Sequence, residues 1–519
     1  MSKFLAILEV SQKQAYIFSS NKLKDNIRNS AIIEKVLSPK YILNALKSEG
    51  YSDEENMVYS GGGHTILEFV DELVAKRNIR ILSEKIYKEY DGLEVFAKIV
   101  TFNPQKSAKD NIGNLISELE KKKAIRRSAF HQGSYGIEAI DSNTLNRVCK
   151  SVNKAALDAV TQDIDAKEQS LFPEGFEPAK RFENLGGSKN ESNFIAVVHI
   201  DGNGMGKRVE DFYAMIGDIS WDDTKKKLRQ FSEGIASDFE KAYKGMVDRI
   251  AKNIEPGKEV YSKLDLDKKK QRYFPIRRVI TAGDDVCFVT EGRIGIECAR
   301  IFIEELCSDK CINIADKKGY SACAGVAIVH QKYPFYRAYE LSEMLCSSAK
   351  KYGASISPED NGRSISSIDW HVEFGELKDT LSDIRAVYNT GDGNRLELRP
   401  YIVKASEKII TDETYSLKLY KNFKRILTTV VSRENGYAIG KIKNLRNVLK
   451  EGELSAKYYL EFNRLTDILI ESGAEKIDLS KLFTGSTSES EIFVAQPDGK
   501  KHSILFDAIE ILDTFISID

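Results

Sequence analysis

Apolar residues along this chain follow two spacings, and the spacing separates strands from helices. Phe4-Leu5-Ala6-Ile7-Leu8-Glu9-Val10 is a short, nearly continuous apolar run and reads as a buried strand. Phe194-Ile195-Ala196-Val197-Val198-His199-Ile200-Asp201 repeats its pattern position by position. Downstream of each run lies a strand–turn–strand pattern, Met57–Leu67 around Gly61-Gly62-Gly63 and Val279–Val289 around Gly283-Asp284-Asp285. Both read as β-hairpins. Helical spacing predicts helices through about residue 47 and over 70–90 in the first copy, and over 221–253, 294–307 and 338–352 in the second. Closing strands are predicted at 93–100 and 322–329.

Each copy therefore runs β-α-β-β-α-β. The predicted fold class is α+β: two ferredoxin-like (βαββαβ) palm domains, 1–102 and 191–374, followed by an α-helical domain over 375–519. Residues 103–190 read as a helical connector, with helices over 110–125 and 146–169. In the last third, helices are predicted over 380–388, 400–410, 414–433, 440–452, 455–472 and 502–518, with a polar, irregular stretch at 483–498.

Composition narrows the class of protein. The chain has 519 residues, enough for about three domains. Its 42% apolar content, 24 Phe and 23 Tyr supply several cores and exclude wholesale disorder. With 77 Lys plus Arg against 78 Asp plus Glu, the net charge of −1 excludes a basic coat protein. Nucleotide binding must then come from a local site. No apolar run approaches the ~20 residues of a membrane span, so a soluble protein is expected. The 7 scattered cysteines suit a reducing cytoplasm better than a disulfide framework. Only Cys307 and Cys311 are close, too few for a structural zinc.

The chemistry sits in one copy. Aligned by apolar pattern, the first copy has Ser11, Gly62 and Gly63 where the second has Asp201, Asp284 and Asp285. In a palm, the end of the first strand and the tip of the neighbouring hairpin lie side by side. Gathered carboxylates repel unless a cation stands between them. Hard oxygen ligands suit Mg²⁺ or Mn²⁺, and such ions can activate a hydroxyl and stabilise a leaving pyrophosphate. Gly202, Gly204 and Gly206, between strand and helix, fit a phosphate cradle. Gly-x-Gly-x-Gly and Gly-Asp-Asp also occur in ordinary turns; their joint placement carries the argument. Lys350 and Lys351 close a helix, where cations suit the helix C-terminus, and Lys350 could also meet a triphosphate. Arg277 and Arg278 read as structural or solvated. Lys418 to Arg425 interleaves aromatics with cations, a pattern that suits RNA or the outer face of an amphipathic helix.

Over residues 1–370 these motifs resemble the two-palm part of the large polymerase-like subunit of type III CRISPR effector complexes. Ser11 to Phe18, Leu23-Lys24 and Arg28 to Ala31 resemble that family's first palm, and Tyr59 to Gly63 its glycine hairpin. Ala282-Gly283-Asp284-Asp285 resembles the Gly-Gly-Asp-Asp motif of the second palm, and Cys323 to Ile328, Pro334 and Ala349-Lys350 its closing strand and helix. The resemblance implies an enzyme joining ATP by 3′–5′ linkages into cyclic oligoadenylate, a messenger of antiviral defence. It implies metal ligation by Asp201, Asp284 and Asp285 and a triphosphate contact from Lys350. Gly202, Gly204, Gly206, Ala282 and Gly283 are expected to bind substrate, and the resemblance places Ser60, Gly61, Gly62 and Gly63 along the second nucleotide site.

The sequence departs from the family in three places. Ala282 replaces a glycine, 129–133 stands where a Cys-x-x-Cys module is usual, and no His-Asp nuclease domain is expected ahead of the first palm. A minimal or stand-alone relative is expected, with RNA or effector subunits as candidate partners of the helical third. The rival readings are a mono- or dinucleotide cyclase and a non-catalytic scaffold binding nucleotide or RNA.

Overall fold

The computed structural model describes residues 3–90, 92–125, 154–186, 193–217, 219–266, 272–375, 378–431, 438–465 and 492–519. Strands β1 (Phe4–Val10), β2 (Met57–Gly61), β3 (His64–Phe69) and β4 (Val95–Thr101) form one sheet in the order β2-β3-β1-β4, antiparallel throughout. The second sheet holds β5 (Phe194–Gly202), β6 (Ile276–Ala282), β7 (Asp285–Glu291), β8 (Ala322–His330), β9 (Ser366–Val372) and β10 (Tyr401–Lys404). Its order is β10-β9-β8-β5-β7-β6, with only the β8–β9 pair parallel. Within it β6-β7-β5-β8 repeats the order of the first sheet. In β5, every residue from Ile195 to Ile200 is buried, which is why that strand reads as an unbroken apolar run.

The backbone corrects the sequence alignment of the copies. Asp201 pairs with Asp285 across β5–β7, and Glu9 pairs with His64 across β1–β3. The Gly202 amide donates to the Asp284 carbonyl at 3.2 Å as the Val10 amide donates to Gly63 at 3.4 Å. Glu9, Gly63 and His64 therefore correspond to Asp201, Asp284 and Asp285; Ser11, Gly62 and Gly63 do not. A run of consecutive apolar residues carries no phase, whereas hairpin hydrogen bonds fix one register.

The copies pack reciprocally. Helix Leu23–Leu37, after β1, lies on edge strand β6, and helix Trp221–Asn253, in the second copy, lies on edge strand β2. Ser232 donates to the Ser60 carbonyl at 3.0 Å, and Arg229 to the Val58 carbonyl at 3.3 Å, so the helix satisfies an edge that would otherwise be open. A Cβ on Gly61 would come within 2.4 Å of Ser232 Oγ, so a larger residue there would displace Ser232 from the Ser60 carbonyl. Buried Glu68 of β3 binds Lys225 at 2.9 Å across the same seam.

The expectation of an all-helical last third is corrected. Tyr401–Lys404 adds to β9 as an edge strand, and Tyr401 stacks on Trp370 at 5.4 Å; the predicted helix over 400–410 shrinks to Glu407–Thr411. The helix predicted over 502–518 begins as the strand Lys501–Ser503, paired with Phe493–Ala495, and is helical only at Phe506–Glu510. Short apolar runs fit either period, and tertiary pairing decides between them. The predicted helix over 414–433 divides into a 3₁₀ turn at Glu413–Lys418 and a helix at Tyr420–Val431. Helices Ile439–Leu449 and Ala108–Ala124 fall where predicted; the helix predicted over 455–472 is Glu453–Phe462 and stops short, with 466–472 outside the described residues, and of the helix predicted over 146–169 the described part is Lys154–Gln169. Residues 129–133 and most of 483–498 lie outside the described residues. Among the described residues no helix is long and apolar enough to cross a membrane.

Candidate active site

The site forms where β5 ends and a helix begins. Gly204 caps helix Met205–Ile216 with a left-handed backbone, φ 63°, and Arg363 packs over it so that a Cβ would approach Arg363 Cδ to 2.4 Å. A Cβ on Gly202 would press on Met205, Asp284 and Phe239 at 3.1–3.3 Å. These two glycines let the chain turn tightly under the hairpin, leaving the first amides of the helix available to an anion. Gly206 meets nothing within 4 Å and is not required by packing. The Asn203 side-chain amide donates to the Ile365 carbonyl at 2.7 Å and ties the turn to the segment before β9.

Three carboxylates converge on this turn. Asp201 and Asp285 face each other in the ladder, and Asp284 occupies the tip with Gly283, whose φ is 69°. Lys350, on helix Phe335–Ile356, reaches Asp201 at 2.7 Å and donates to the Gly202 carbonyl at 3.3 Å. Burial, followed by the charges of Asp201 and Asp284, pushes the Asp285 carboxyl up to about 7. Burial and Asp201 likewise raise Asp284 above the carboxylate range. Burial opposes the charge on Lys350, but the bond to Asp201 outweighs it and raises its pKa. Crowded carboxylates with lifted pKa values are the mark of a site short of positive charge. Among the described residues no three His, Cys, Asp or Glu side chains form a ready-made metal cage. A Mg²⁺-type ion that keeps waters and substrate phosphates in its shell needs only one or two carboxylates from the protein, and this donor set fits that requirement.

The first copy meets the site edge-on. A Cβ on Gly283 would lie 3.9 Å from the Gly62 amide, so the two hairpin tips touch. Lys13 lies over the Gly62-Gly63 turn and donates to the Gly62 carbonyl at 3.1 Å. Burial lowers its pKa, while the charges of Glu9 and Asp285 partly offset that. Ser60 is tied into the fold: its hydroxyl donates to the Leu37 carbonyl at 2.7 Å and accepts from Thr65. Of the predicted first-copy residues, Gly62 lies at the seam and Gly61 packs on Ser232.

Sequence reading missed two features. Glu9 pairs with Lys123 at 2.8 Å, matching the Asp201–Lys350 pair of the second copy. Both lysines come from the helix that follows the last strand of their copy, so the helix spacing held the signal. His199 stands 3.4 Å from Asp285, and its placement two residues before Asp201 held that signal.

Other candidates resolve as structural. Arg277 binds Asp165 at 2.5 Å and Arg278 binds Glu168 at 3.3 Å, all inside the connector interface. The basic run near 418–425 is not a continuous surface: Lys418 is buried and donates to the Leu398 carbonyl, and Lys424 binds Glu297 at 2.7 Å. Cys307 and Cys311 are free thiols.

Residues 194–356 match the family described as Cas10/Cmr2, second palm domain. No curated protein matches the chain. Among solved structures, the apo Csm1–Csm4 cassette aligns with a TM-score of 0.53 at 15% identity, covering 98% of this chain and 69% of that one. The cassette in complex with cA3 aligns at 0.51 and 14%, covering 99% and 70%. The cassette in complex with pppApApA aligns at 0.51 and 13%, covering 99% and 69%. At such identities the likeness is one of fold.

Proposed function

We propose that this Cas10-like chain, whose residues 194–356 are similar to the Cas10/Cmr2 second palm, is a metal-dependent nucleotidyltransferase that converts ATP into a cyclic oligoadenylate. On this reading the two β-α-β-β-α-β units are a ferredoxin-like palm pair. The observation that carries it is the placement of Asp201, Asp284 and Asp285 on one turn, with Lys350 beside them and the glycine tip of the first copy against Gly283. Asp201, Asp284 and Asp285 would hold Mg²⁺ or Mn²⁺, which when bound neutralises the phosphates and activates the attacking hydroxyl.

The chain's own residues do the rest. Lys350 binds Asp201 and stands beside the glycine turn, where a triphosphate would rest on Gly202, Gly204 and the first amides of the following helix. Gly283 and Ala282 border the donor nucleotide, and Gly62 and Gly63 the acceptor, which presents its 3′-hydroxyl to the donor α-phosphorus. The new P–O bond forms as pyrophosphate leaves, and the hydroxyl proton departs to a base or solvent. The matched Csm1 structures were crystallised with Csm4 and with cA3 or pppApApA, which supports an adenine nucleotide and an effector assembly as partners.

The test is direct. Purified protein is incubated with each nucleoside triphosphate and Mg²⁺ or Mn²⁺, and products are identified by mass spectrometry. Cyclic oligoadenylate from wild type and none from the Asp284→Ala, Asp285→Ala double variant is the expected result. Equal product from both overturns the mechanism.

A further inference from the structure

Asp285 is crowded by Asp201 and Asp284, and a buried histidine stands beside it. His199 lies on β5 opposite Cys287, one diagonal step from Asp285 on β7. Residues two apart on a strand share a face, so His199 projects on the same side as Asp201. Its Nδ1 stands 3.4 Å from Asp285 Oδ1. Both atoms are buried and neither has a hydrogen-bond partner. His199 is only 6% exposed, whereas the Asp285 side chain as a whole is 41% exposed, so one carboxylate oxygen is held inside and the other faces the cleft. Two orphaned polar atoms this close are costly apart and complementary together.

The histidine is itself braced. Its ring meets Tyr339 edge-to-face, with centroids 5.6 Å apart at 82°. Tyr339 bonds Glu343, one helical turn along the helix that also carries Lys350. Glu343 accepts a 2.6 Å hydrogen bond from Gln14 of the first copy. Of the two ring nitrogens, Nδ1 is the one that faces Asp285.

We infer that His199 is a positioning residue for Asp285: its Nδ1–H donates to Oδ1 and turns the other carboxylate oxygen to the cleft, with Gln14 bracing the arrangement from the first copy through Glu343 and Tyr339. This inference rests on the nucleotidyltransferase reading, because it assigns Asp285 a ligand's task. It requires an Nδ1–H donor at position 199 and gives the docking of the first copy a route to the site.

The experiment measures Mn²⁺ affinity, by the loss of free-ion paramagnetic resonance signal, for full-length protein mixed with a non-reacting ATP analogue. His199→Leu keeps an apolar side chain and removes the donor. His199→Asn places an amide N–H where Nδ1 stood, and His199→Gln moves it to the far side of the ring. Leu and Gln should weaken Mn²⁺ binding about 10- to 100-fold, the usual cost of losing an outer-shell partner, with Asn returning to within about threefold of wild type. Gln14→Ala should weaken it by a smaller factor. A packing role alone predicts the reverse order, with Leu the mildest. Equal affinity in wild type and Gln, or failure of Asn to exceed Gln, overturns the inference. If Leu does not fold, Asn against Gln still decides. Wild type that binds no Mn²⁺–nucleotide at all, matching the Asp284→Ala, Asp285→Ala control, defeats the underlying nucleotidyltransferase reading instead.

Discussion

Asp285 stands directly opposite Asp201 across the β5–β7 ladder, in the register that places His64 opposite Glu9 across β1–β3. One copy thus carries two acids at a position where the other carries an acid and an imidazole. The difference sets the electrostatics of each half: Lys350 binds Asp201 directly, while Asp285 has no ion pair with a lysine among the described residues, feels Lys13 and Lys350 only at longer range, and has the buried His199 at 3.4 Å.

That imbalance has a pH signature. The Asp285 carboxyl lies near 7 when folded and near 3.9 in an unfolded chain. Between those values the folded state holds a proton that the unfolded state releases, so this group's contribution is most favourable below about pH 4 and is lost as pH rises through 7. Asp285→Asn should therefore melt above wild type at pH 8 without divalent cations, and the gap should close by pH 4. Adding Mg²⁺ should narrow it at pH 8. Differential scanning fluorimetry across this range checks the prediction; a gap independent of pH contradicts it.

Lys350 and Lys123 occupy matching places but should differ in consequence. On the nucleotidyltransferase reading, Lys350→Met removes a preorganised cation from the half that carries the aspartates and should lower kcat/KM about 10²-fold, the usual scale for one electrostatic group. Lys123→Met removes the partner of Glu9 in the half that lacks the aspartates and should change the rate by less than about threefold. Steady-state kinetics with ATP distinguishes them.

The glycines of the turn are not equivalent. Gly204→Ala must hold φ 63° against Arg363, so a loss of about 1–2 kcal/mol is expected. Gly206→Ala meets open space within a helix and should stabilise by roughly 0.5–1 kcal/mol. Urea denaturation of the two variants gives the comparison.

The last third is clamped by a buried ion cluster. Arg399, fully buried, binds Asp507 at 2.8 Å and Glu510 at 2.6 Å, and Tyr388 shares Glu510 at 2.7 Å. Arg399→Met leaves both acids buried and uncompensated and should cost about 3–5 kcal/mol. Asp507 also accepts the Leu398 and Arg399 amides, so the same variant should loosen β10 first, visible as faster amide exchange at Tyr401 and Ile402.

What the chain order alone determined is the repeated β-α-β-β-α-β pattern and the gathering of acids on its second copy. Strand β5 is buried on both faces, and the 33-residue helix Trp221–Asn253 exposes one face and buries the other; each writes its environment into a local period. The clustering of Asp201, Asp284 and Asp285 was legible because strand ends and hairpin tips are punctuated by glycine, and Lys350 because helical spacing over 338–352 places it on a helix, observed as Phe335–Ile356. The match of the copies was legible only to within two residues, because Leu5 to Leu8 carries no internal mark of phase; the hydrogen bonds of Val10 to Gly63 and Gly202 to Asp284 supply it. Tertiary structure alone decided that Tyr401–Lys404 is a strand, since its pairing partner lies at Ser366–Ile368, and that Glu9 owns Lys123. It also brought His199, Tyr339, Glu343 and Gln14 into one line behind Asp285. Contacts between residues hundreds of positions apart leave no local period to read; they arise when two sheets and the helices between them close on a shared seam.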